Sequence, residues 1–480
     1  MPDRRASLLP PDARHLVSRF TFGLTPELAT RVRRDGGAPA WFEAQLNPGS
    51  IADPGIGEFD TWWSTLGQSP RTLWANNRSG VVGGWQVMVD YQRWVLMRRM
   101  HSQRQVLEVM TEFWENHLNV PTNGEPAFTH RRAYGDMIRA GALGTYEDLL
   151  FAAITHPAML IYLDNAQSTA AHPNENLGRE LLELHTVGRG NYDEDQVKDS
   201  ARILTGWQVD VQNTWEPSYE PSVHAVGAVS VLGFFDDNRL PDGRNLTRRY
   251  LSYLARHPKT AERIAFKLAT KFVRDDPPGE LVDRLARTYL ENGTAIVPVL
   301  RALVASPEFK RAAGLKVRDP SEDVVATYRA LGVKLSRPRN DDSAANTIIW
   351  QSERIGLTPF AWPRPDGAPL DNAAWSTPSR MLASFTLHHQ MGGGWWPKTE
   401  ITYRPHEAWV PSFPIHLDQL VDHLSRLLLH RPASTRLLKA CCQAVDMEAG
   451  TTIDRHHGLL SWGIPLLLGA ILDSPDHFHR

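Results

Sequence analysis

Apolar residues recur with the period of an α-helix along most of this 480-residue chain, and this repetition restricts the fold more than any other feature. The pattern runs from Asp12 to Leu204 in separate segments, each bounded by residues that start or stop helices. It resumes at NLTRRYLSYLARHP. The sequence therefore predicts a mainly α fold, a multi-helix globular assembly, because this spacing places apolar side chains on one face of a helix.

Three polar residues predict where individual helices begin. Thr145 with Asp148 forms a capping box before YEDLLFAAI. Asn174 can cap ENLGRELLELHTV, which we expect to end at Gly188, and Asp193 can cap EDQVKDSARILT. These local signals set the expected boundaries of the helices that carry the motifs discussed below.

A valine-rich segment with glycine breaks, SVHAVGAVSVLGFF, interrupts the helical pattern. It predicts one small β-hairpin insertion near residues 222–235. Residues 335–380 are rich in Pro, Asp and Asn, and they predict a long ordered connection.

These changes of pattern divide the chain into five predicted segments. They are an N-terminal helical core that carries the motif helices (1–206), a hairpin insertion and connection (207–250), a helical module (251–334), a loop-rich connection (335–415) and a C-terminal helical module (416–480). Residues 256–311 and 430–480 follow a similar order of motifs, each ending in a Ser-Pro step before the last short segment. They are either two copies of one module or helices that resemble each other by chance.

The balance of charge limits the partners that we expect. With 52 basic and 54 acidic residues the net charge is -2, so no long-range field attracts nucleic acid or an anionic membrane. The most apolar run, GLLSWGIPLLLGAIL at 458–472, is shorter than the roughly 20 residues that a membrane span needs. We therefore expect a small-molecule substrate, with neither a nucleic acid nor a membrane as partner.

Cysteine usage and the N-terminus bear on the compartment. Cys441 and Cys442 are adjacent, which suits neither a disulfide framework nor a four-thiolate metal site. The N-terminus carries Arg4 and Arg5, but Pro10 and Pro11 follow, and no apolar run of signal-peptide length appears. The sequence predicts an uncleaved, cytoplasmic protein.

Two hexads share the pattern Glu, apolar, apolar, Glu, any, His: EFWENH at 112–117 and ELLELH at 180–185. At 100° per residue, His117 and His185 each fall on the apolar stripe of their helix, so both are predicted to point inward. Two inward imidazoles could bind one metal ion or haem iron. Alternatively, each could hydrogen-bond a carboxylate and be an ordinary core histidine.

A polar stripe lies on the second motif helix, because Asn176, Glu180 and Glu183 recur at intervals of four and three. Arg179 is adjacent, and Glu180 is expected to hold Arg179 or a buried asparagine in place. Asp164 precedes this helix in a connection that can fold back over it, which would gather Asp164, Asn176 and Glu180 into a polar pocket. The alternative is a solvated face with local ion pairs.

Sequence signatures of other chemistries do not occur. The chain has no Gly-x-Ser-x-Gly elbow, no phosphate-binding loop, no dinucleotide fingerprint and no His-Glu-x-x-His motif. The neighbours His388 and His389 are interpreted as surface residues.

Several segments in a fixed order give the chain a family resemblance: FWENHLNV, MLIYLDNAQS, NENLGRELLELHTVG, ARILTGW, HPKTAERIAFKLATKFV, LRALVASPEFKR and PFAWPRPDGAPLDNAAW. From about Arg14 to Met391 the chain resembles the bacterial family catalogued as domain of unknown function 1800. The resemblance implies a predominantly helical fold. It also implies a shared site, because seven residues fall in the family's motifs: His117, Asn176, Arg179, Glu180, Glu183, His185 and Trp207.

The resemblance carries two further implications. Members commonly show a His-Asp pair and a downstream lysine after the Trp207 segment, whereas here Ala225 follows His224 and no lysine occurs before Arg239. Any role of that carboxylate and amine is therefore in doubt in this chain. Many members also look exported and occur beside a sulfatase-like partner, which implies such a partner here.

Three functions follow as hypotheses. The first is a metal- or haem-dependent oxidoreductase with His117 and His185 as metal ligands, Trp207 at the cofactor, and iron, copper or haem as the cofactor. The second is a carboxylate-based hydrolase or transferase. The third is a non-catalytic helical scaffold. For an enzyme, the predicted catalytic residues are those of the polar pocket and its neighbours: Asp164, Asn176, Arg179, Glu180 and Glu183.

Overall fold

The predicted helices begin at the expected caps, but at Thr145 the hydroxyl group, not the backbone N–H of a capping box, donates to Asp148 Oδ2 at 2.7 Å. The computed structural model describes residues 8–211 and 213–480, so Arg4 and Arg5 of the N-terminal prediction lie outside the described residues. Thr145 Oγ1 accepts from the Asp148 backbone N–H at 3.2 Å, and Asp193 Oδ1 accepts from that of Gln196 at 2.9 Å. The α-helices of the N-terminal half are α1 (Pro11–Arg19), α2 (Pro26–Arg34), α3 (Ala38–Gln45), α4 (Pro70–Ser79), α5 (Gly84–His101), α6 (Gln105–His117), α7 (Arg131–Gly141), α8 (Tyr146–Ile154), α9 (Pro157–Tyr162), α10 (Glu175–Glu180) and α11 (Glu194–Leu204).

The helix that carries the second hexad changes its winding part-way along. Asn174 caps α10 through a 2.9 Å hydrogen bond from the Asn176 backbone N–H, as predicted. After Glu180 the chain forms a π-helical turn, Leu181–His185, and Gly188 follows with a φ of 92°. A π turn holds an extra residue compared with an α turn and frequently occurs at functional sites. The 100° step used to orient His185 therefore does not hold across this hexad.

Short strands pair as two-stranded antiparallel sheets, and the predicted hairpin is among them. β3 (Val229–Val231) pairs with β4 (Phe234–Asp236) through a turn at Leu232 and Gly233, whose φ angles are both positive. The structure adds three further pairs: β1 (Trp207–Val209) with β2 (Pro217–Tyr219), β5 (Lys334–Leu335) with β6 (Ile401–Thr402), and β7 (Ile415–His416) with β8 (Thr452–Ile453). The mainly α fold is confirmed.

Helices return after the hairpin and continue to the last residues. They are α12 (Arg244–Ala255), α13 (Pro258–Phe272), α14 (Gly279–Glu291), α15 (Ile296–Ala305), α16 (Pro307–Lys310), α17 (Pro320–Leu331), α18 (Ala344–Arg354), α19 (Asn372–Trp375), α20 (Pro378–Gly392), α21 (Leu417–Leu428), α22 (Thr435–Val445), α23 (Leu459–Leu472) and α24 (Pro475–Phe478). Single 3-10 turns occur at Pro48–Ser50, Ile56–Thr61, Ser64–Gly67, Ala127–His130, Asn165–Gln167, Pro221–Val223 and His406–Trp409.

The region predicted as a long connection is partly helical. α18 lies within 335–380 and buries Ala345, Ile348 and Ile349, and α20 follows. A true loop, residues 355–371, joins α18 to α19 and is called the covering loop below. The prediction of a loop over residues 344–354 was wrong. The surrounding Pro, Asp and Asn residues are typical of loops, and the apolar residues with helical spacing between them were not recognised.

The main apolar core extends from Leu9 to Leu472, and a small second cluster consists of Leu73, Val87, Met88 and Phe128. The five-segment division of the chain stays a prediction. The two similar segments each end in a short helix that follows a Ser-Pro step, α16 after Ser306 and α24 after Ser474, but only Ser306 caps its helix through its side chain. The first segment also contains α14 between its other helices. No helix among the described residues is both long and apolar enough to cross a membrane.

Candidate functional site

The structure brings the two hexad histidines together. The ring centroids of His117 and His185 lie 6.1 Å apart, and their planes are nearly perpendicular at 86°. His117 Nε2 lies 3.0 Å from the Tyr146 hydroxyl and 3.2 Å from the His185 carbonyl oxygen, and His185 Nδ1 donates to the His117 carbonyl at 3.0 Å. Each histidine thus contacts the backbone of the other and ties the end of α6 to the π turn.

Little coordination capacity is left for a shared ion. The second nitrogen of His117, Nδ1, lies 3.0 Å from the Lys267 amine. Among the described residues, His185 Nε2 is the one ring nitrogen of the pair that is buried without a partner. Burial, and then the nearby Lys267, lower the pKa of His117 well below its usual value, while burial lowers that of His185 to about 3. Both imidazoles are therefore neutral, and the shared metal centre stays a prediction.

Lys267 is an unusual partner for a histidine. Its ammonium form is disfavoured by burial and by Arg263, which together lower its pKa to about 7, although Asp366 opposes the change. A neutral amine and a neutral imidazole can share one hydrogen bond without a charge. This contact therefore needs no carboxylate to stabilise it.

The residues of the predicted polar stripe separate into local surface contacts. Asn176 Nδ2 donates to Asp164 Oδ2 at 3.2 Å. Glu183 pairs with Arg189 and accepts from the Tyr192 hydroxyl at 2.6 Å. Glu180 has no hydrogen bond within the described residues, and burial followed by the neighbouring Glu183 raises its pKa. The stripe thus consists of separate surface pairs.

Arg179 does not use Glu180 as its partner. Its guanidinium lies 2.7 Å from Glu194 and 3.3 Å from Glu175. The expectation that Glu180 holds Arg179 is wrong, because Glu194 at the start of α11 provides a bidentate contact that the local helix pattern does not reveal. The catalytic assignments of Asp164, Asn176, Arg179, Glu180 and Glu183 stay predictions.

Trp207 begins β1 and is packed between neighbours. Its indole Nε1 donates to Thr247 Oγ1 at 3.1 Å. The ring makes edge contacts with Tyr219 and Phe151, at centroid distances of 5.2 and 6.1 Å. These contacts account for its position, and its cofactor role stays a prediction.

Four charged residues that the sequence analysis did not select meet in a buried pocket. Lys271 Nζ on α13 lies 3.1 Å from Glu112 Oε2 on α6 and 2.9 Å from Glu322 Oε1 on α17. Asp319 caps α17 and exchanges hydrogen bonds with Glu322 in a capping box. Ligand atoms of the three acidic residues lie within 4.8 Å of one another. Glu112, Lys271, Asp319 and Glu322 are called the carboxylate pocket.

The charges of this pocket differ from one carboxyl group to the next. Burial alone would raise the pKa of Glu322, but Arg480 and Lys271 outweigh it and lower the pKa to about 2. Burial raises the pKa of Asp319 to about 7, with Glu322 and Glu112 adding to the change. Glu322 is therefore ionised at neutral pH, whereas Asp319 exchanges its proton near neutrality.

The carboxylate pocket encloses a cavity of about 50 Å³. Its walls combine aromatic and cationic side chains, among them Phe113, Phe360, Trp375, Arg99, Lys316 and Arg480. This volume accommodates a few water molecules or one small group, since a water needs roughly 10–15 Å³.

The covering loop closes one side of the cavity and is fastened to α6. Asn116 Nδ2 donates to the Ala368 carbonyl at 2.9 Å, and the Ala368 N–H donates to Asn116 Oδ1 at 2.7 Å. Gly367 has a φ of 76°, and a Cβ there would lie 2.0 Å from the Asn116 carbonyl oxygen. Only glycine allows the loop to approach α6 this closely.

Sequence signals for the carboxylate pocket existed but indicated other features. Glu112 is the first residue of the first hexad, but that hexad was interpreted from His117 as a candidate metal ligand. Asp319 and Glu322 form an Asp-Pro-Ser-Glu capping box, which predicts a helix start rather than a site. Lys267 and Lys271 are four residues apart and so share one face of α13.

A second buried network involves the next residue of α17. Asp323 accepts from Arg380 at 3.0 Å and Ser384 at 2.8 Å, and its Oδ1 lies 3.2 Å from His388 Nε2. His388 Nδ1 lies 2.8 Å from Asp473. The interpretation of His388 as a surface residue is wrong, since it is 0% exposed and joins α20 to α17.

Comparison with known proteins places the chain in a family. Residues 15–479 match the family model described as "Protein of unknown function (DUF1800)". The chain belongs to this family. Comparison with curated proteins and with solved structures found no similar chain. The family description gives no reaction, so the function of this member must be argued from its own sites.

His224 is followed by Ala225, where the family resemblance implies an aspartate. Other residues hold its side chain in place. The imidazole of His224 is buried, with Nδ1 2.9 Å from the Thr205 carbonyl oxygen and Nε2 3.0 Å from Asn238 Oδ1. Asn238 also donates to the Ala225 carbonyl at 2.6 Å. Here the amide of Asn238 satisfies His224, and Ala225 contributes only backbone.

Proposed function

We propose that this chain is a carboxylate-based hydrolase or transferase in which Asp319 is the general acid and base. The observation that carries the proposal is the position of the Asp319 carboxylate. Its Oδ1 accepts from the Glu322 N–H at 2.8 Å and from the Ser321 hydroxyl at 3.0 Å. Within the described residues Oδ2 has no hydrogen-bond donor, and Asp319 lines the cavity. One oxygen is thus held in place while the other can exchange a proton with a substrate or water.

The surrounding charges support this role. Lys271 is shared by Glu112 and Glu322, and Arg480 Nη1 lies 2.6 Å from Glu322. Among the described residues these pairs leave Asp319 without an ion pair of its own, and burial raises its pKa to about 7 although Lys271 opposes the change. A general acid or base is most effective when its pKa is close to the working pH.

The same geometry favours acid-base chemistry over a divalent cation at this cluster. Lys271 already lies between Glu112 and Glu322, where an ion would bind. A divalent cation would have to displace the ammonium group and leave it buried without a partner, which is costly.

The walls of the cavity suggest the type of substrate. Lys316 already pairs with Asp275, and Arg99 Nη1 lies 3.7 Å from Glu112 Oε1. Arg99 also packs 5.3 Å from the centre of the Phe360 ring. A small polar group that both donates and accepts hydrogen bonds suits these walls. Since about 50 Å³ cannot hold a whole substrate, the covering loop would open during the cycle, as lids do in many enzymes.

The test compares the carboxylate pocket with the predicted polar stripe. Purified wild-type protein would be assayed on a panel of nitrophenyl esters, phosphates and glycosides, together with Asp319→Asn and Glu183→Gln. We expect Asp319→Asn to lower kcat/KM by roughly 10²–10⁴-fold, the usual contribution of a general acid or base, and to remove an inflection near pH 7 from the pH-rate profile.

Glu183→Gln is the control, because it removes a carboxylate of the predicted polar stripe on the surface. The proposal is overturned if Asp319→Asn keeps full activity, or if infrared titration shows Asp319 ionising near its ordinary value. Loss of activity in Glu183→Gln alone would favour the sequence-based site. Circular dichroism would establish that both variants keep the wild-type fold.

A metal-dependent oxidoreductase is the second candidate, and one observation favours it. His185 Nε2 is a buried imidazole nitrogen without a partner among the described residues, and the His117 ring lies 6.1 Å away. Metal analysis of protein purified without a histidine tag tests this candidate. This candidate function requires that the wild-type protein contains a stoichiometric metal or haem and that both His117→Ala and His185→Ala lose it. Equal metal content in the wild type and the two variants would reject it.

A further inference from the structure

A larger cavity of about 380 Å³ lies where α1, α17 and the last residues of the chain meet. Its rim includes exposed residues such as Asp12, Gly314 and Pro475, so the cavity reaches the surface. Its floor consists of buried basic and imidazole side chains, each at most 7% exposed: His15, Arg318, His430, His477 and Arg480. This space is called the arginine cavity.

Two arginines of the floor have donors without acceptors. Arg318 donates through Nε to the His477 carbonyl at 2.9 Å, but its Nη1 has no partner among the described residues. Arg480 Nε is likewise unpartnered. A buried donor that is left unsatisfied destabilises the fold, and more so when it is charged. The floor therefore requires an acceptor.

The local charge is also unbalanced. Arg19 is fully buried beside Arg318 and Arg480, and its Nη2 donates to the Ala312 carbonyl at 2.7 Å. Two ionised carboxylates lie near this group, but Glu322 is shared with Lys271 and Asp323 is shared with Arg380 and His388. Burial and then Arg480 lower the pKa of Arg318 to about 10 and that of Arg19 well below its usual value. An added negative charge would relieve the repulsion.

Two histidines supply acceptors rather than donors. His15 Nε2 donates to the Phe309 carbonyl at 2.8 Å, so its Nδ1, which has no partner in the described part of the chain, carries a lone pair. His430 is hydrogen-bonded to the backbone of Leu24, and its Nε2 likewise has no partner there. Burial lowers the pKa of both to about 4, which keeps them neutral. A neutral imidazole that donates through one nitrogen accepts through the other.

We propose that the arginine cavity binds a small oxyanion that carries hydroxyl groups. The ligand is either the phosphate monoester of a polyol or a hydroxycarboxylate. Its anionic oxygens accept from the guanidinium groups of Arg318 and Arg480, and its hydroxyl groups donate to His15 and His430, which line the cavity. A small rotation of these side chains accompanies binding, because their unpartnered nitrogens have almost no accessible surface in this structure. Guanidinium groups suit such anions because their donors match two oxygens at once. The volume falls in the range of about 300–1,000 Å³ typical of small-molecule sites.

Isothermal titration calorimetry tests the proposal with four probes: glycerol 3-phosphate, inorganic phosphate, citrate and glycerol. We expect saturable binding of the anions, no binding of glycerol, and tighter binding of glycerol 3-phosphate than of inorganic phosphate. Tighter citrate than glycerol 3-phosphate would identify the carboxylate class. Absence of saturable binding by every anion would mean that the cavity holds only water, and would overturn the proposal.

Variants separate the two halves of the recognition. Arg318→Gln should weaken binding of every anion at least tenfold, while Arg431→Gln, which changes a rim residue that already pairs with Asp476, is the matched control. His430→Phe should reduce the affinity for glycerol 3-phosphate to that for inorganic phosphate, and it keeps the test valid if Arg318→Gln fails to fold. Unchanged affinities in both variants would refute the assignment. Binding of these probes is measured without any turnover, so failure of the proposed catalysis would not affect this result.

Discussion

Lys267 and Lys271 lie one turn apart on the same face of α13 and both reach α6, but their surroundings differ. Lys271 contacts two carboxylates, those of Glu112 and Glu322, which raise its pKa although burial opposes them. Lys267 contacts the imidazole of His117, and its pKa falls to about 7 through burial and Arg263. Burial disfavours the charge of both lysines. The charged groups around each lysine, carboxylates at Lys271 and a guanidinium at Lys267, therefore decide which lysine stays charged.

The histidine pair and the carboxylate pocket differ in the same way, and each contains a residue of the first hexad. The histidine pair is neutral and held by backbone carbonyls, whereas the carboxylate pocket contains ionised groups and one acid that titrates near neutrality. Neutral contacts tolerate the loss of one partner better than buried ion pairs do. Removing one partner at a time should therefore have unequal effects at the two sites.

The largest expected effect is at Lys271. Lys271→Met should lower the free energy of unfolding by about 3–5 kcal/mol, because Glu112 and Glu322 lose the cation they share while remaining buried. Chemical denaturation at pH 7 measures the change, with Lys271→Arg as a control that keeps the charge. A loss below about 1 kcal/mol would show that Arg99 and Arg480 suffice for both carboxylates.

The next effect is a change in pH dependence at Asp319. The folded protein holds this proton up to about pH 7, while the unfolded chain releases it near pH 4, so this group's contribution to stability is lost as pH rises between these values. Asp319→Asn keeps a good N-cap residue and should remove a slope of at most about 1.4 kcal/mol per pH unit. Denaturation curves from pH 5 to 8 measure it, with Asp164→Asn as the exposed control. Parallel curves for wild type and Asp319→Asn would contradict the raised pKa.

A smaller effect is expected at Lys267. Lys267→Met should change the free energy of unfolding by about 1 kcal/mol or less, because the lost hydrogen bond to His117 is offset by removal of a buried amine. The amine's folded pKa is lowered, so its contribution to stability grows as pH rises from about 7, and the variant should lose this rise. Denaturation at pH 7 and 9 measures both. A loss as large as that of Lys271→Met would show that Lys267 is charged.

The smallest effect is expected at Glu180. Glu180→Gln should change stability by less than about 0.5 kcal/mol, because the side chain is partly exposed and Arg179 pairs with Glu194 and Glu175 instead. Thermal or chemical denaturation next to Glu183→Gln gives the comparison. A loss above about 1 kcal/mol would show that Glu180 has a structural partner after all.

Local features of the fold were predictable, and distant ones were not. The caps at Thr145, Asn174 and Asp193 depend on residues two or three positions apart, so the sequence contains the whole interaction. The carboxylate pocket joins Glu112 to Lys271 and Glu322 across more than 150 residues of chain, and no local pattern encodes that contact. The inward direction of His117 and His185 followed from periodicity, but their mutual backbone contacts required the tertiary structure.

The polar stripe shows why a correct local pattern can suggest the wrong partners. Asn176, Glu180 and Glu183 were expected to act together because they share a helix face, yet Glu183 turns to Arg189 and Tyr192. The hexad ELLELH is compatible with an α-helix, and no residue within it indicates a π turn. Its winding depends on the Tyr146 hydroxyl and His117, both of which contact the His185 carbonyl from other parts of the chain.

The π turn at Leu181–His185 also determines how this segment responds to the loss of a residue. A π turn contains one residue more than the α turn it replaces, so deleting a single residue there would restore regular winding without breaking the helix. The residues after the deletion would keep their orientation relative to α10, because the π turn itself contains the extra residue. A deletion within Glu175–Glu180 would instead rotate every later residue of the helix by about 100°, and His185 would leave the core. A one-residue deletion in 181–184 should therefore be far less harmful than one in α10.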